Sequence, residues 1–495
     1  MYDVIFISGE AYFDSPLSGV AMLKRVLEKK GYKLLVVKQP KEKDIEKLQK
    51  PRLFFAVSSG SIDSMVRNYT PLKKSRIDDK NLNYNESVPD RACIVYSNWI
   101  RKHFHDSPIV LGGTESSLRR FVHYDYWENR LRKPILFDSR ADILAYGMAE
   151  KQILEIAERI RSKQDIQGVK GTCVISKEVP EGFILLPNYD EVMNSKERFC
   201  DMQNLFSNSK DLAQKIDNRY VLQYKSPVYT SKDLDEYYEM PFKRDSTLPH
   251  LHGFEFSVVT HRGCIGDCSF CSLSLTAGNK IVSRSEGSIM RELEYISKLP
   301  NFKGIIDDFG GPSANMYGMD CHKCENKCLG CRNLDRSNKR LVALLRKARK
   351  VPGIKKIMVR SGVRFDLATD EYLDELKNHT SGKLKIAPEH VNKRVLQLMN
   401  KDHGDLKTFM KRCKDRGIRL SYYLMLAHPG CGMPEAKELR NAKLDTESVQ
   451  VFTPTPMTVS TCMYYTRLDP KTKKKVYVPY SYKEKKEQKR LFFGK

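Results

Sequence analysis

The chain has 495 residues, 40% of them hydrophobic and 30% charged, and a formal net charge of +25. That length predicts two or more domains with room for buried cores, and the composition excludes wholesale disorder. No apolar run approaches the ~18 residues of a membrane span, so no membrane association is expected.

The start carries Asp3 and Glu10 without a basic leader and does not read as a secretory signal. A cytoplasmic location is therefore expected, where thiols stay reduced. The 13 cysteines then point to metal or cluster ligation ahead of disulfides. The positive charge has two readings: lysine-rich solvated faces, or a nucleic-acid partner.

In chain order, residues 3–8 form a short apolar run. Ser18 is placed to cap a helix whose Val20, Leu23, Val26 and Leu27 share one face, with Gly31 ending it. Apolar stretches follow at 34–37, 53–57, 108–113 and 143–147. Short strands alternating with helices predict a Rossmann-like parallel α/β domain over 1–150. Its functional loops, Gly9–Gly19 and Gly112–Glu115, fall at the carboxyl ends of strands, and neither holds a full dinucleotide fingerprint.

Residues 151–250 are more polar and read as a mostly helical connecting region. From Phe254 the alternation restarts, with candidate strands at 254–260, 304–309, 355–360, 384–388, 420–426 and 450–454. Six strand–helix units predict an incomplete (βα)6 barrel over 251–470, with functional residues at the C-terminal strand ends. Residues 471–495 are the densest basic run. Its Tyr477, Tyr480 and Tyr482 suit either base stacking or a loosely ordered terminus.

Cys264, Cys268 and Cys271 follow the first barrel strand. Three thiolates within eight residues hold three irons of a 4Fe–4S cluster and leave the fourth open. S-adenosylmethionine can chelate that iron, and one electron then splits its carbon–sulfur bond to give a 5′-deoxyadenosyl radical. Gly263 and Gly266 let the backbone wrap closely, and Phe270 is placed to pack near the adenine. The competing reading is a zinc knuckle, which three cysteines without a nearby fourth serve poorly.

A second group, Cys321, Cys324, Cys328 and Cys331, lies in a polar loop. Four thiolates at this spacing suit either zinc or an auxiliary iron–sulfur cluster with no open iron, and His322 is read as a bystander. Cys93, Cys173, Cys200, Cys413, Cys431 and Cys462 are scattered and read as buried thiols. Cys431 stands apart because it falls at a strand end.

Around the barrel mouth, the backbone of Gly310 and Gly311 is placed to meet the amino group of the cosubstrate. Arg360, Ser361 and Glu389 are placed to converge on its ammonium, carboxylate and ribose. His390 and His428 are candidates for proton transfer. No catalytic base or acid is assigned.

With these residues in hand, the chain resembles the YgiQ family of radical SAM proteins. The likeness runs through GEAYFDSP (9–16), SIDSMVRNYT (61–70), PDRACIVYSNWIR (89–101) and GGTESSLRRFVHYDYW (112–127). It continues in SVVTHRGCIGDCSFCSL (257–273), GGPSANMYG (310–318), RSGVRFDLA (360–368), APEH (387–390), AHPGC (427–431) and FTPTPMTVSTCMYYTRLDP (452–470).

The resemblance implies a radical SAM barrel behind an N-terminal domain of its own type. It also implies a cluster on Cys264, Cys268 and Cys271, S-adenosylmethionine as cosubstrate, and a reductant protein such as a flavodoxin or ferredoxin. Its reaction and substrate are undefined, and RNA, a protein or a small metabolite are all admitted. The N-terminal domain is also similar to cobalamin-binding domains that use Asp-x-His-x-x-Gly. Here the loop reads Asp14-Ser-Pro-Leu-Ser-Gly19, with Pro16 at the histidine position, and cobalamin is not expected. The alternative from a different class is an iron–sulfur or zinc nucleic-acid-binding module without radical catalysis.

Overall fold

The computed structural model describes every residue except 77–87, 246–251, 322–323, 325–327, 381, 447–448 and 494–495. The chain divides into two units. One comprises residues 1–13, 18–228 and 453–476; the other comprises 14–17, 229–452 and 477–495.

The first unit is built on β1 (Val4–Ser8), β2 (Leu34–Lys38), β3 (Phe54–Ser58) and β4 (Ile109–Leu111). A small hairpin, β5 (His123–Asp125) with β6 (Arg130–Arg132), precedes β7 (Ile143–Ala145). Strands β8 (Thr172–Ser176), β9 (Ile184–Leu185), β10 (Leu212–Ile216) and β11 (Arg219–Gln223) complete the set. Nine of these join one sheet in the order β2-β1-β3-β4-β7-β8-β11-β10-β9.

The half from β2 to β7 is parallel, as buried apolar runs separated by helices require. The cap at Ser18 forms as expected: its side chain accepts from the Ala21 N–H and opens the helix Gly19–Lys29. Val20, Ala21, Met22, Val26 and Leu27 of that helix are buried.

The span 151–250 departs from expectation. It is not a mostly helical connector, because β8 to β11 lie in it and carry the sheet onward through antiparallel pairs. The cause is local: the strands are short and interrupted by polar residues, so their period is masked, while Leu212, Ala213, Val221 and Leu222 are buried in the fold. The expected boundary at 150 therefore cuts across a continuous sheet.

The second unit contains β12 (Val258–Val259), β13 (His261–Arg262), β14 (Val282–Ser283), β15 (Ile305–Ile306) and β16 (Phe309–Gly310). It continues with β17 (Lys356–Ile357), β18 (Lys383–Glu389), β19 (Arg419–Leu426) and β20 (Val449–Val451). Parallel ladders join β12 to β16, β15 to β17, and β18 to β19 to β20. A parallel bridge links Val363 to Ile386. All six expected strand positions are occupied, each followed by helix or loop. The fold is thus α/β, with a large, mostly parallel sheet and an incomplete barrel.

Helices form where caps and apolar spacing coincide. Ser285 accepts from Ser288 N and starts Glu286–Ser297, whose Ile289, Leu293 and Ile296 face the core. Helix Lys339–Ala348 buries Leu341, Val342, Leu344 and Leu345, each contributing about 2 kcal/mol.

The tail corrects another expectation. Residues Tyr482–Phe493 form a helix with Lys485 and Gln488 buried, so this segment is not a loose terminus. Tyr477 and Tyr482 remain exposed. Among the described residues, no helix is long and apolar enough to cross a membrane.

Candidate functional site

Strand β12 is fixed by a buried charge triad. Glu292 accepts from Arg244 Nη2 through one carboxylate oxygen and from Arg284 Nη1 through the other. The side chains of all three are at most 3% exposed. Arg244 also donates to the Ser257 carbonyl at 2.8 Å, and Arg284 to the Val259 carbonyl at 3.0 Å. One carboxylate between two guanidiniums thereby clamps the backbone on both sides of Val258.

The cysteine loop leaves this strand. The Cys264 N–H donates to Gly278 O at 3.0 Å, extending the β13–β14 pairing. Gly263 sits at φ +88°, and a Cβ there would fall on the carbonyl oxygen of Lys280, so only glycine fits. Further along, Ser269 N donates to Met399 O at 2.9 Å and Asn400 Nδ2 to Asp267 O at 2.7 Å. The loop is tied at both ends.

Cys264, Cys268 and Cys271 are all partly buried. Burial, and then the nearby sulfurs of Cys268 and Cys264, push the Cys271 thiol up to about 12, with the Leu273 N–H opposing. Burial likewise raises Cys268, and Lys401, Arg364 and Cys264 lie within electrostatic reach of it. Neighbouring sulfurs that oppose ionisation of Cys268 and Cys271 favour a multivalent cation among them. Among the described residues, no group of three or more His, Cys, Asp or Glu stands close enough to grip a single ion. A four-iron cubane spaces its thiolates more widely than one tetrahedral ion does.

Phe270 lies beside this loop. Lys401 Nζ is 5.8 Å from its ring centroid, and His428 meets it edge-on at 6.2 Å. Lys401 also pairs with Glu389 at 3.3 Å, both side chains being 12% exposed. Burial raises the Glu389 carboxyl despite that ammonium. Glu389 ends β18 at φ +66°, a left-handed conformation that turns the chain at the mouth.

Arg360 and Glu389 each have a partner of their own. Arg360 Nη1 donates to Gly253 O at 3.0 Å. Its backbone N–H and that of Ser361 donate to Asp308 at 2.7 and 3.1 Å, and the Ser361 hydroxyl also donates to this carboxylate. Asp308, unnoticed in the sequence, organises this edge; its signal was a charged pair, Asp307-Asp308, at the end of an apolar strand. Gly310 is paired within β16. Gly311 packs against His261, whose ring lies 2.6 Å from the position a Cβ would take.

His390 and His428 are buried and neutral, burial lowering them to about 4 and about 3. Asn392 N donates to His390 Nδ1 at 3.0 Å, which leaves the ring proton on Nε2, 3.6 Å from Cys431 Sγ. Burial pushes the Cys431 thiol up to about 12. Gln488 accepts from Ala427 N at 2.9 Å and donates to Cys431 O at 3.0 Å. These contacts make the His428–Cys431 turn a neutral, fully bonded structure.

In the second cysteine group, Cys328 is buried and accepts from Lys280 Nζ at 3.2 Å. Cys328, Cys331 and Leu329 pack with Cys264, Ile265, Ile281, Met316, Met319, Leu334 and Leu367 in one apolar cluster. Cys321 is partly buried and Cys324 exposed, and His322 lies outside the described residues. The structure thus sets the 328–331 turn beside the Cys264 loop, a proximity the spacing did not reveal.

Comparison with known proteins places these features. Residues 1–253 match the family described as Radical SAM N-terminal, and residues 258–455 match the Radical SAM superfamily. A UPF0313 protein of Methanocaldococcus jannaschii is 44% identical across 99% of this chain and 89% of its own length. One from Fusobacterium nucleatum is 41% identical across 98% and 95%. Among solved structures, the radical S-adenosylmethionine methyltransferase TsrM of Kitasatospora setae, with cobalamin and a [4Fe-4S] cluster bound, superposes with a TM-score of 0.57. It shares 13% identity and covers 94% of this chain and 76% of its own. The cobalamin-dependent radical enzyme OxsB superposes at 0.52 with 12% identity, covering 89% and 52%. Because sequence identity of that extent spans both units, the chain belongs to the UPF0313 family and is a radical SAM enzyme.

Proposed function

We propose that this enzyme, of the YgiQ type, carries a 4Fe–4S cluster on Cys264, Cys268 and Cys271 and cleaves S-adenosylmethionine reductively to act on a substrate not yet identified. The observation that carries the reading is the cysteine loop: three mutually interacting thiols, tied at both ends, with no fourth cysteine inside it. When bound, such a cluster supplies the electron that releases a 5′-deoxyadenosyl radical.

The chain's own residues do the rest. Gly310 and Gly311 offer backbone to the cosubstrate, and Ser361, set by Asp308, offers a hydroxyl. Phe270 offers an apolar face beside the adenine. Glu389, paired with Lys401, serves the ammonium or ribose. A flavodoxin- or ferredoxin-like protein supplies electrons, and a reducing cytoplasm suits the thiols.

The test is anaerobic. Protein reconstituted with iron and sulfide is given dithionite and S-adenosylmethionine, and 5′-deoxyadenosine is measured by mass spectrometry. A Cys264/Cys268/Cys271 to Ala variant is the control. Product from the wild type alone supports the reading; equal product from both refutes it.

A second reading, a nucleic-acid partner, draws on one observation. A cavity of about 410 Å³ is lined by Arg346, Arg349, Lys350, Lys355, Lys356 and Asn378. Glu375 engages the two arginines, while the three lysines have no ion pair among the described residues. If RNA docks there, replacing the three lysines with alanine lowers the salt slope of binding by about 2 to 3, since each phosphate contact adds roughly 0.7–0.9. An unchanged slope in a fluorescence-anisotropy titration removes this reading.

The expectation that cobalamin is not bound is without support, since TsrM and OxsB are solved with it, and it needs its own test. Against histidine ligation here stand Pro16 and the bonds of Asp14, which accepts from Lys243 N at 3.2 Å and Arg244 N at 3.0 Å. We infer that the 14–19 loop does not ligate cobalt. A stoichiometric visible spectrum of bound cobalamin that Asp14→Ala abolishes would overturn this.

A further inference from the structure

Arg364 was not singled out by spacing or motif, yet its position is fixed from three sides. Its backbone N–H donates to Asn315 Oδ1 at 2.9 Å, and its carbonyl accepts from Asn315 Nδ2 at 2.9 Å. Its Nε and Nη2 form a fork onto the two oxygens of Asp366 at 2.9 and 2.8 Å. Both side chains of that pair are 8% exposed.

The third nitrogen, Nη1, has no hydrogen-bond partner among the described residues. It points at the cysteine loop: a Cβ on Gly266 would overlap Arg364 Nη1 while lying 3.4 Å from Cys264 Sγ. Guanidinium and sulfur thus flank the same glycine. A donor on a largely buried side chain held this firmly, with no protein partner among the described residues, is arranged for an acceptor that arrives with the cofactor.

We propose that Arg364 is a positioning residue that sets the reduction potential of the cluster, with Nη1 directed at the sulfurs of the Cys264–Cys271 loop. The proposal rests on the cluster reading above. The electron that reduces the cluster comes from an external donor and adds negative charge to a centre already bearing three thiolates. A fixed cation and hydrogen-bond donor at those sulfurs stabilises the reduced form and raises the potential. Asp366 lies on the far side of the guanidinium, takes its other two nitrogens and moderates its charge. Gly266 is small so that the side chain can approach.

The experiment is an electron-paramagnetic-resonance redox titration of the anaerobically reconstituted full chain, without S-adenosylmethionine, beside iron and labile-sulfide analysis. Arg364→Gln is expected to load a cluster with a more negative midpoint than the wild type. Asp366→Asn, which leaves the guanidinium in place and removes its counter-charge, is expected to shift the midpoint in the positive direction. A merely structural pair would give no such opposition of sign. Midpoints unchanged in both variants, or shifted the same way, overturn the proposal. If Arg364→Gln loads no cluster, Arg364→Lys replaces it. That variant keeps the charge but not the fork, and a wild-type midpoint in both it and Asp366→Asn refutes the role. A wild-type chain that loads no cluster sinks the underlying reading, a failure distinguishable by iron content alone.

Discussion

Replacing Gly263 by alanine tests whether the cysteine loop depends on a close backbone approach. Two costs arise. A non-glycine residue at φ +88° loses about 1–2 kcal/mol to left-handed sterics. The new methyl also falls on the carbonyl oxygen of Lys280, so the β13–β14 pairing or the Cys264–Gly278 hydrogen bond must give way. Overpacking of that kind adds about 1–3 kcal/mol, for a sum of roughly 2–5 kcal/mol.

Gly278 is the natural comparison. It shares φ +88°, but nothing lies within 4 Å of a Cβ there. Gly278→Ala therefore incurs only the dihedral cost, offset in part by about 0.4–1 kcal/mol from a stiffer unfolded chain. The assays are iron and sulfide per chain after reconstitution, and the melting temperature. Gly263→Ala should lose most of its cluster and melt earlier, whereas Gly278→Ala should stay near the wild type. Equal behaviour of the two variants would refute the reasoning, because the backbone angle alone would then account for both.

Two further outcomes follow from buried charge. Glu292→Ala leaves Arg244 and Arg284 buried without their shared carboxylate, which should cost about 3–5 kcal/mol. Chemical denaturation should show the second unit destabilised by that amount, and a loss below about 1 kcal/mol would contradict the triad's role. His261, His390 and His428 are held neutral by burial, at about 4, about 4 and about 3, against about 6.5 in an unfolded chain. Their folded-state pKa is depressed, so the stability they confer is complete above about pH 6.5 and lost as pH falls towards 4. Near pH 5 the three together give a slope of about 4 kcal/mol per pH unit. A melting temperature that stays flat from about pH 6.5 to 5 would show that these rings are not neutral in the fold.

The site was legible in proportion to how local its signals were. Cys264, Cys268 and Cys271 could be proposed as a cluster site because they lie within eight residues, and the six barrel strands could be read because apolar runs recur at helix-length intervals. Strands β8 to β11 did not, since they are two to five residues long and carry polar residues such as Gln214, Lys215 and Gln223 inside them. The Asp308–Arg360, Asn315–Arg364 and Glu389–Lys401 partnerships were hidden for another reason: they join residues 12 to 52 positions apart, and spacing says nothing about such pairs. The partners of Arg360 and Glu389, the Gly253 carbonyl and Lys401, were hidden on the same ground.

The division of the chain into units has a consequence for biosynthesis. Residues 453–476 complete the first unit, and residues 477–495, including Gln488 in the His428–Cys431 turn, complete the second. A unit assembled from separated stretches of chain is complete only once the later stretch is made, so at roughly 5–20 residues per second the first unit waits for residues 453–476 while all of 229–452 is synthesised.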